Sequence, residues 1–191
     1  MKNQPNLLRK QDIKRYHNDG FVVPKYKLSD EKLHTLRRAA SDLISHYPHI
    51  PTEGLVSPHN FYMGSHKDKI LLPHESIAGS GAALDKEIHR DNLDEKNIIS
   101  VPLEAGEVVI FDVLTAHGAS PNFSNRRRAG FAIRYMPGTS LYDHNMNVGS
   151  GQDDVQTDLS KRASFLVRGE DKTGRNNFSI DQEGMLVEVT P

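Results

Sequence analysis

The chain has 191 residues, a length that suits one domain, residues 1–191, with a proper core and is too short for two comfortable ones. Apolar residues make up 36% and aromatics 7%, and Trp and Cys are both absent, so the core must be built from Leu, Ile, Val, Phe and Tyr, while disulfides, zinc–thiolate centres, iron–sulfur clusters and thiol nucleophiles are excluded. Lys plus Arg (24) nearly balances Asp plus Glu (25), so the overall field gives no reason to expect nucleic acid or an anionic membrane as partner.

The first residues, "MKNQPNLLRKQD", lack an apolar h-region, and no window approaches the roughly 18 apolar residues of a membrane span. A soluble, cytoplasmic protein is the expectation. Leu8, Ile13 and Tyr16, followed by Asp19-Gly20, predict a short helix with Gly20 near its C-cap. "FVVP", Phe21 to Pro24, reads as a brief strand. Ser29 is a good N-cap, Asp30 and Glu31 fill the first turn, and Leu33, Leu36, Ala40, Leu43 and Ile44 mark one face of a helix running to about Ser45.

From Tyr47 to Leu72, Pro48, Pro51, Gly54, Pro58 and Gly64 break every period, and the segment reads as loop. Alternation returns from Ile98 to Asp112, as two short strands around a Glu104-Ala105-Gly106 turn, and again from Ala129 to Tyr135. Residues 138–191 read as an irregular C-terminal tail. Helices first and antiparallel-looking strands afterwards favour a mostly-β or α+β fold over an alternating βαβ plan.

The chemistry gathers in "LTAHGASPNFSNRRRAGFAIRY", Leu114 to Tyr135. His117 follows a strand and precedes Gly118, Pro121 and Asn122, residues that allow sharp turns. At the mouth of a β-scaffold such an imidazole is a metal ligand, a general base, or a solvent-facing loop residue, and the pattern alone leaves these open. Of Arg126, Arg127 and Arg128, the middle one must point opposite to its neighbours on a strand. A solvated strand end accounts for one or two of them. An inward Arg128 near Phe131 or Ile133 would need an anionic partner, and a dicarboxylate would satisfy it bidentately. Three basic residues without interleaved aromatics are a small footprint for nucleic acid.

Four blocks in order, "QDIKRYHNDGFVV", "GSHKDKILLPHES", "PLEAGEVVIFDVLTAHGASPNFSNRRRAGFAIRYMP" and "FLVRGED", resemble the phytanoyl-CoA dioxygenase family of non-haem Fe(II) and 2-oxoglutarate dependent oxygenases. The resemblance implies a double-stranded β-helix, or cupin-like jelly roll, with N-terminal helices against one sheet. It implies Fe(II), O₂ and 2-oxoglutarate as cofactor and cosubstrates, and hydroxylation of a small organic or acyl substrate. His117 matches the distal histidine of the 2-His-1-carboxylate triad. Arg128, eleven residues on, matches the arginine for the distal carboxylate of 2-oxoglutarate, and Ser120 and Asn122 fall in the cosubstrate loop. The family's common serine lies two residues after the histidine, where this chain has Ala119.

The other two ligands belong to an HxD motif on an early strand of the roll. His89-Arg90-Asp91 is the one HxD in the letters, and its place argues against that role. Only 25 residues separate Asp91 from His117, room for about two strands at roughly 5 residues each plus turns. The block "GSHKDKILLPHES", which follows the HxD strand in the family, here comes almost directly after the N-terminal region, so the chain reads as internally shortened near Tyr62-Met63. An incomplete roll, a catalytically inactive remnant, or a small cupin-like binding module with a different histidine set are the resulting alternatives. His59, His66, His74 and Glu75 are the substitute ligands to consider, whereas His46 and His49 read as surface residues. Lost partner strands would leave open edges, so formation of a homo-oligomer or aggregation would be unsurprising.

Overall fold

The computed structural model describes residues 8–46, 60–77, 86–119, 125, 130–144, 148–149, 156–157, 164–176 and 178. Two compact units divide the chain, residues 1–131 and 132–191.

In the first unit, helix α1 (Lys10–Asp19) leads into strand β1 (Phe21–Val22). Its start is set by Asp12, whose carboxylate accepts the Arg9 backbone N–H at 2.9 Å and the Arg9 guanidinium at 2.8 Å. Its end is set by Gly20, which at φ +87° takes the left-handed conformation and returns its N–H to the Tyr16 carbonyl. Asp12 is buried, and the guanidinium hydrogen bonds hold its pKa down from 3.8 to about 2. A depressed carboxyl stabilises the folded state above its unfolded pKa and loses that contribution as pH falls through the folded value. Far-UV circular dichroism is therefore expected to show α1 weakening as pH drops from about 4 towards 2, a dependence that Asp12→Asn removes.

Helix α2 (Asp30–His46) starts where Ser29 Oγ accepts the Lys32 N–H at 3.4 Å, as the cap pattern predicts. Its apolar stripe meets no core. None of its side chains is buried, and Leu43 is 61% exposed.

The remaining elements of this unit are short antiparallel strands: β2 (Asn60–Tyr62), β3 (His74–Ser76), β4 (Lys86–Ile88), β5 (Ile98–Ser100), β6 (Ile110–Phe111) and β7 (His117–Gly118). They form a three-stranded sheet in the order β5-β2-β7 and two pairs, β1-β6 and β3-β4. The register puts Phe61 between Ile99 and His117, and Phe21 opposite Phe111. A mostly-β architecture of small antiparallel sheets with two helices is thus present.

Several expectations change. The segment expected as loop from Tyr47 to Leu72 contains β2, the central strand of the largest sheet. Its three residues are held by partners far along the chain, a contact that local periodicity does not carry. The turn at Glu104 to Gly106 forms, with the Glu107 N–H on the Glu104 carbonyl and Gly106 at φ +91°, but the strands on either side do not pair with each other. The Leu28 N–H donates to the Gly106 carbonyl and Lys27 bridges Glu107, steering the chain towards β1, while β5 leaves to pair with β2. The strand expected from Ala129 to Tyr135 is absent from its described part, residues 130–135, where Phe131, Ile133 and Tyr135 are exposed.

Among the described residues the buried apolar side chains are Val22, Phe61 and Val101, and the buried polar ones are Asp12, His66 and Thr115. Phe61 is fully enclosed, stacked on Phe21 with ring centroids 4.6 Å apart and tilted against Phe111 at 5.4 Å.

In the second unit, β8 (Val148–Gly149) pairs with β9 (Gln156–Thr157). One of its turns centres on Asp171. Burial opposes ionisation of this carboxyl, yet hydrogen bonds from Thr173 and Asn176 outweigh it and hold the pKa well below the usual carboxylate range. Asn176 Nδ2 also donates to the Ser140 carbonyl and its Oδ1 accepts the Tyr142 N–H, tying this turn, within the segment expected as irregular tail, to the loop at residues 137–142. No helix among the described residues is long and apolar enough to cross a membrane.

Candidate functional site

His117 sits on β7, an edge strand whose place is fixed by β2. The Tyr62 N–H donates to the Ala116 carbonyl at 2.9 Å, and the Ala116 N–H donates to Ser65 Oγ at 2.8 Å. Before β7 the chain makes a tight turn in which Asp112 Oδ1 accepts the Leu114 N–H and the Asp112 carbonyl accepts the Thr115 N–H. The turn is fastened to the end of α1, because the Gly20 carbonyl accepts both the Asp112 N–H at 2.8 Å and the Thr115 hydroxyl at 2.9 Å.

The imidazole rests on the aromatic cluster, 4.7 Å from the Phe111 ring and 6.0 Å from Phe61 between centroids. Its Nδ1 lies 2.7 Å from the Thr115 carbonyl oxygen. A carbonyl can only accept, so Nδ1 carries the proton and, in the neutral ring, the free lone pair is on Nε2. His117 is solvent-exposed, and Gly118 beside it has open space where a side chain would be. One nitrogen is thus committed to a backbone carbonyl, and among the described residues Nε2 makes no hydrogen bond.

Several other described histidines lie elsewhere. His66 is 4% exposed, with Nε2 donating to the His17 carbonyl at 3.0 Å and Nδ1 packed against Gly20 without a partner. It has no open face for a metal. His89 accepts the Asp91 N–H on Nδ1 at 3.2 Å, capping a short 3₁₀ turn, and its Nε2 lies 3.8 Å from Glu75 across the β3-β4 pair. Asp91 is 88% exposed. His74 is an exposed residue of β3 facing Ile88, and His46 donates Nδ1 to the Asp42 carbonyl on α2. Among the described residues no three His, Asp or Glu side chains are grouped so as to hold a metal ion. The described residues therefore do not supply a three-ligand metal centre around His117.

Ser120, Asn122 and Arg128, the residues expected to bind 2-oxoglutarate, lie outside the described residues, as do His49 and His59. Phe131 and Ile133, the residues considered as neighbours of an inward Arg128, are 77% and 60% exposed. What the sequence did not single out is Thr115 and Ser65, small hydroxyl residues whose role lies in contacts fifty or more positions away. Gly20 carried a signal, as a helix stop, although its close approach to Thr115 and His66 was not legible.

No curated protein and no solved structure matches the chain. A family model does match, over residues 57–130, the stretch that carries β2 to β7 and His117. Over those residues the chain carries the sequence pattern of the phytanoyl-CoA dioxygenase family (PhyH), a family of the Fe(II)- and 2-oxoglutarate-dependent oxygenase type.

Proposed function

We propose that this chain is a dioxygenase-type protein that keeps the distal-histidine half of an Fe(II) and 2-oxoglutarate site, on the remains of a double-stranded β-helix, and binds without turning over. His117 is the iron-facing imidazole, Arg128 the cation for the far carboxylate of 2-oxoglutarate, and Ser120 and Asn122 line the cosubstrate loop. The observation that carries this reading is the hydrogen bond from His117 Nδ1 to the Thr115 carbonyl, which leaves Nε2 as a free donor of electrons. Iron, when bound in such a family, supplies the O₂ chemistry that hydroxylates a small organic or acyl substrate. That work needs three protein ligands. His89 lies between Asp91 and Glu75 and contacts both, which favours a binding remnant over an enzyme. A cytoplasmic setting, with its supply of Fe(II) and 2-oxoglutarate, suits the reading.

Anaerobic titration with Fe(II) and 2-oxoglutarate tests it. The expected result is a rise in thermal midpoint with both ligands, lost in His117→Ala for the metal and in Arg128→Ala for the keto acid, without turnover of 2-oxoglutarate in air. Turnover would mean that a complete iron centre exists. A shift that survives both substitutions, or no shift at all, would remove His117 and Arg128 from the site.

A further inference from the structure

Thr115 is 1% exposed, and all of its polar groups are committed. Its N–H donates to the Asp112 carbonyl at 2.9 Å, its hydroxyl donates to the Gly20 carbonyl at 2.9 Å, and its own carbonyl accepts His117 Nδ1 at 2.7 Å. A buried hydroxyl left unpaired is costly, so the bond to Gly20 strongly restricts where this residue can sit. Gly20 is itself fixed, because the left-handed cap of α1 places its carbonyl between the Thr115 hydroxyl and the Asp112 N–H. The path from helix to imidazole is continuous: helix cap, Gly20 carbonyl, Thr115 hydroxyl, Thr115 carbonyl, His117 ring.

We infer that Thr115 is the positioning residue of the site, anchoring through its hydroxyl the carbonyl that holds His117 as the Nδ1–H tautomer, with the lone pair on Nε2. A histidine side chain free in water favours the opposite tautomer, with the proton on Nε2, which would block the ligating nitrogen. The role of His117 towards metal rests on the function proposed above; the tautomer does not. Thr115 never touches the ligand. It decides which nitrogen is available to one.

The full chain, labelled with ¹⁵N, reports the tautomer through long-range ¹H–¹⁵N spectra at a pH where the ring is neutral. The wild-type ring is expected as Nδ1–H. Thr115→Ser, which keeps the hydroxyl, retains it; Thr115→Val, which keeps the shape and loses the bond to Gly20, shifts the population towards Nε2–H. Affinity for Co(II), read from broadening of the His117 signals, falls about tenfold in Thr115→Val, the lower end of what removing a ligand's supporting contact does. A wild-type ring protonated on Nε2 overturns the inference, as does a folded Thr115→Val with an unchanged tautomer. If Thr115→Val does not fold, Thr115→Ala reads the same loss of the hydroxyl bond, and an unchanged tautomer there overturns the inference. An Nδ1–H ring that responds to Thr115→Val but never binds Co(II) leaves the positioning role standing and rejects the proposed function instead.

Discussion

Gly20→Ala is expected to destabilise the first unit by roughly 3 kcal/mol, combining a left-handed cost of about 1–2 kcal/mol for a residue with a Cβ and overpacking of about 1–3 kcal/mol. The φ of +87° is unfavourable for alanine in any surroundings. Here the added Cβ would also run into Thr115 Oγ1 and lie 2.6 Å from His66 Nδ1, with neither neighbour free to retreat. His66 is held to the His17 carbonyl and Thr115 to the Gly20 carbonyl itself. Equilibrium urea unfolding measures the loss as a lower midpoint, and a native population with unchanged stability would show that the α1 cap and the turn before His117 do not meet as described. Because the clash falls on Thr115, whatever folded population remains is also expected to bind Co(II) more weakly.

Phe61→Ala has an expected cost of about 3–5 kcal/mol, the range for emptying a buried aromatic site. Phe61 has no exposed surface and forms the middle of the ring stack with Phe21, Phe111 and His117. It also joins three strands, lying between Ile99 and His117 in the sheet. Among the described residues few other apolar side chains are buried, so little there can close over the cavity. The informative control is Leu43→Ala on α2, where 61% exposure limits the effect to within about 0.5 kcal/mol. Comparable losses for the two variants in urea unfolding would contradict the division between an enclosed Phe61 and an open α2.

That contrast marks how far the sequence reaches. Both helices are legible because their signals are local: Gly20 stops one, Ser29 with Asp30 and Glu31 starts the other, and the structure places ends within a residue or two of these marks. The apolar stripe of α2 is legible too, but a stripe states what could be buried, not what covers it, and nothing described does. Strand β2 is invisible to pattern because Asn60-Phe61-Tyr62 is too short to alternate and owes its geometry to partners near positions 99 and 117. The stretch from Phe131 to Tyr135 errs the other way, alternating like a strand with no partner in its described part. At the candidate site, His117 is singled out by its motif, whereas the tautomer depends on a carbonyl two residues back and on a hydroxyl bond spanning ninety-five positions.

A further consequence follows from the small number of enclosed apolar side chains described in the first unit, Val22, Phe61 and Val101. Heat capacity rises on unfolding mainly because hydrocarbon becomes hydrated, at about 0.45 cal/K/mol for each Å² uncovered, while newly wetted polar groups pull the other way. A fold fastened by carbonyls and hydroxyls more than by oil releases little of the first kind. Its free energy of unfolding should trace a shallow arc with temperature, with melting spread over a wide interval and no sharply favoured optimum.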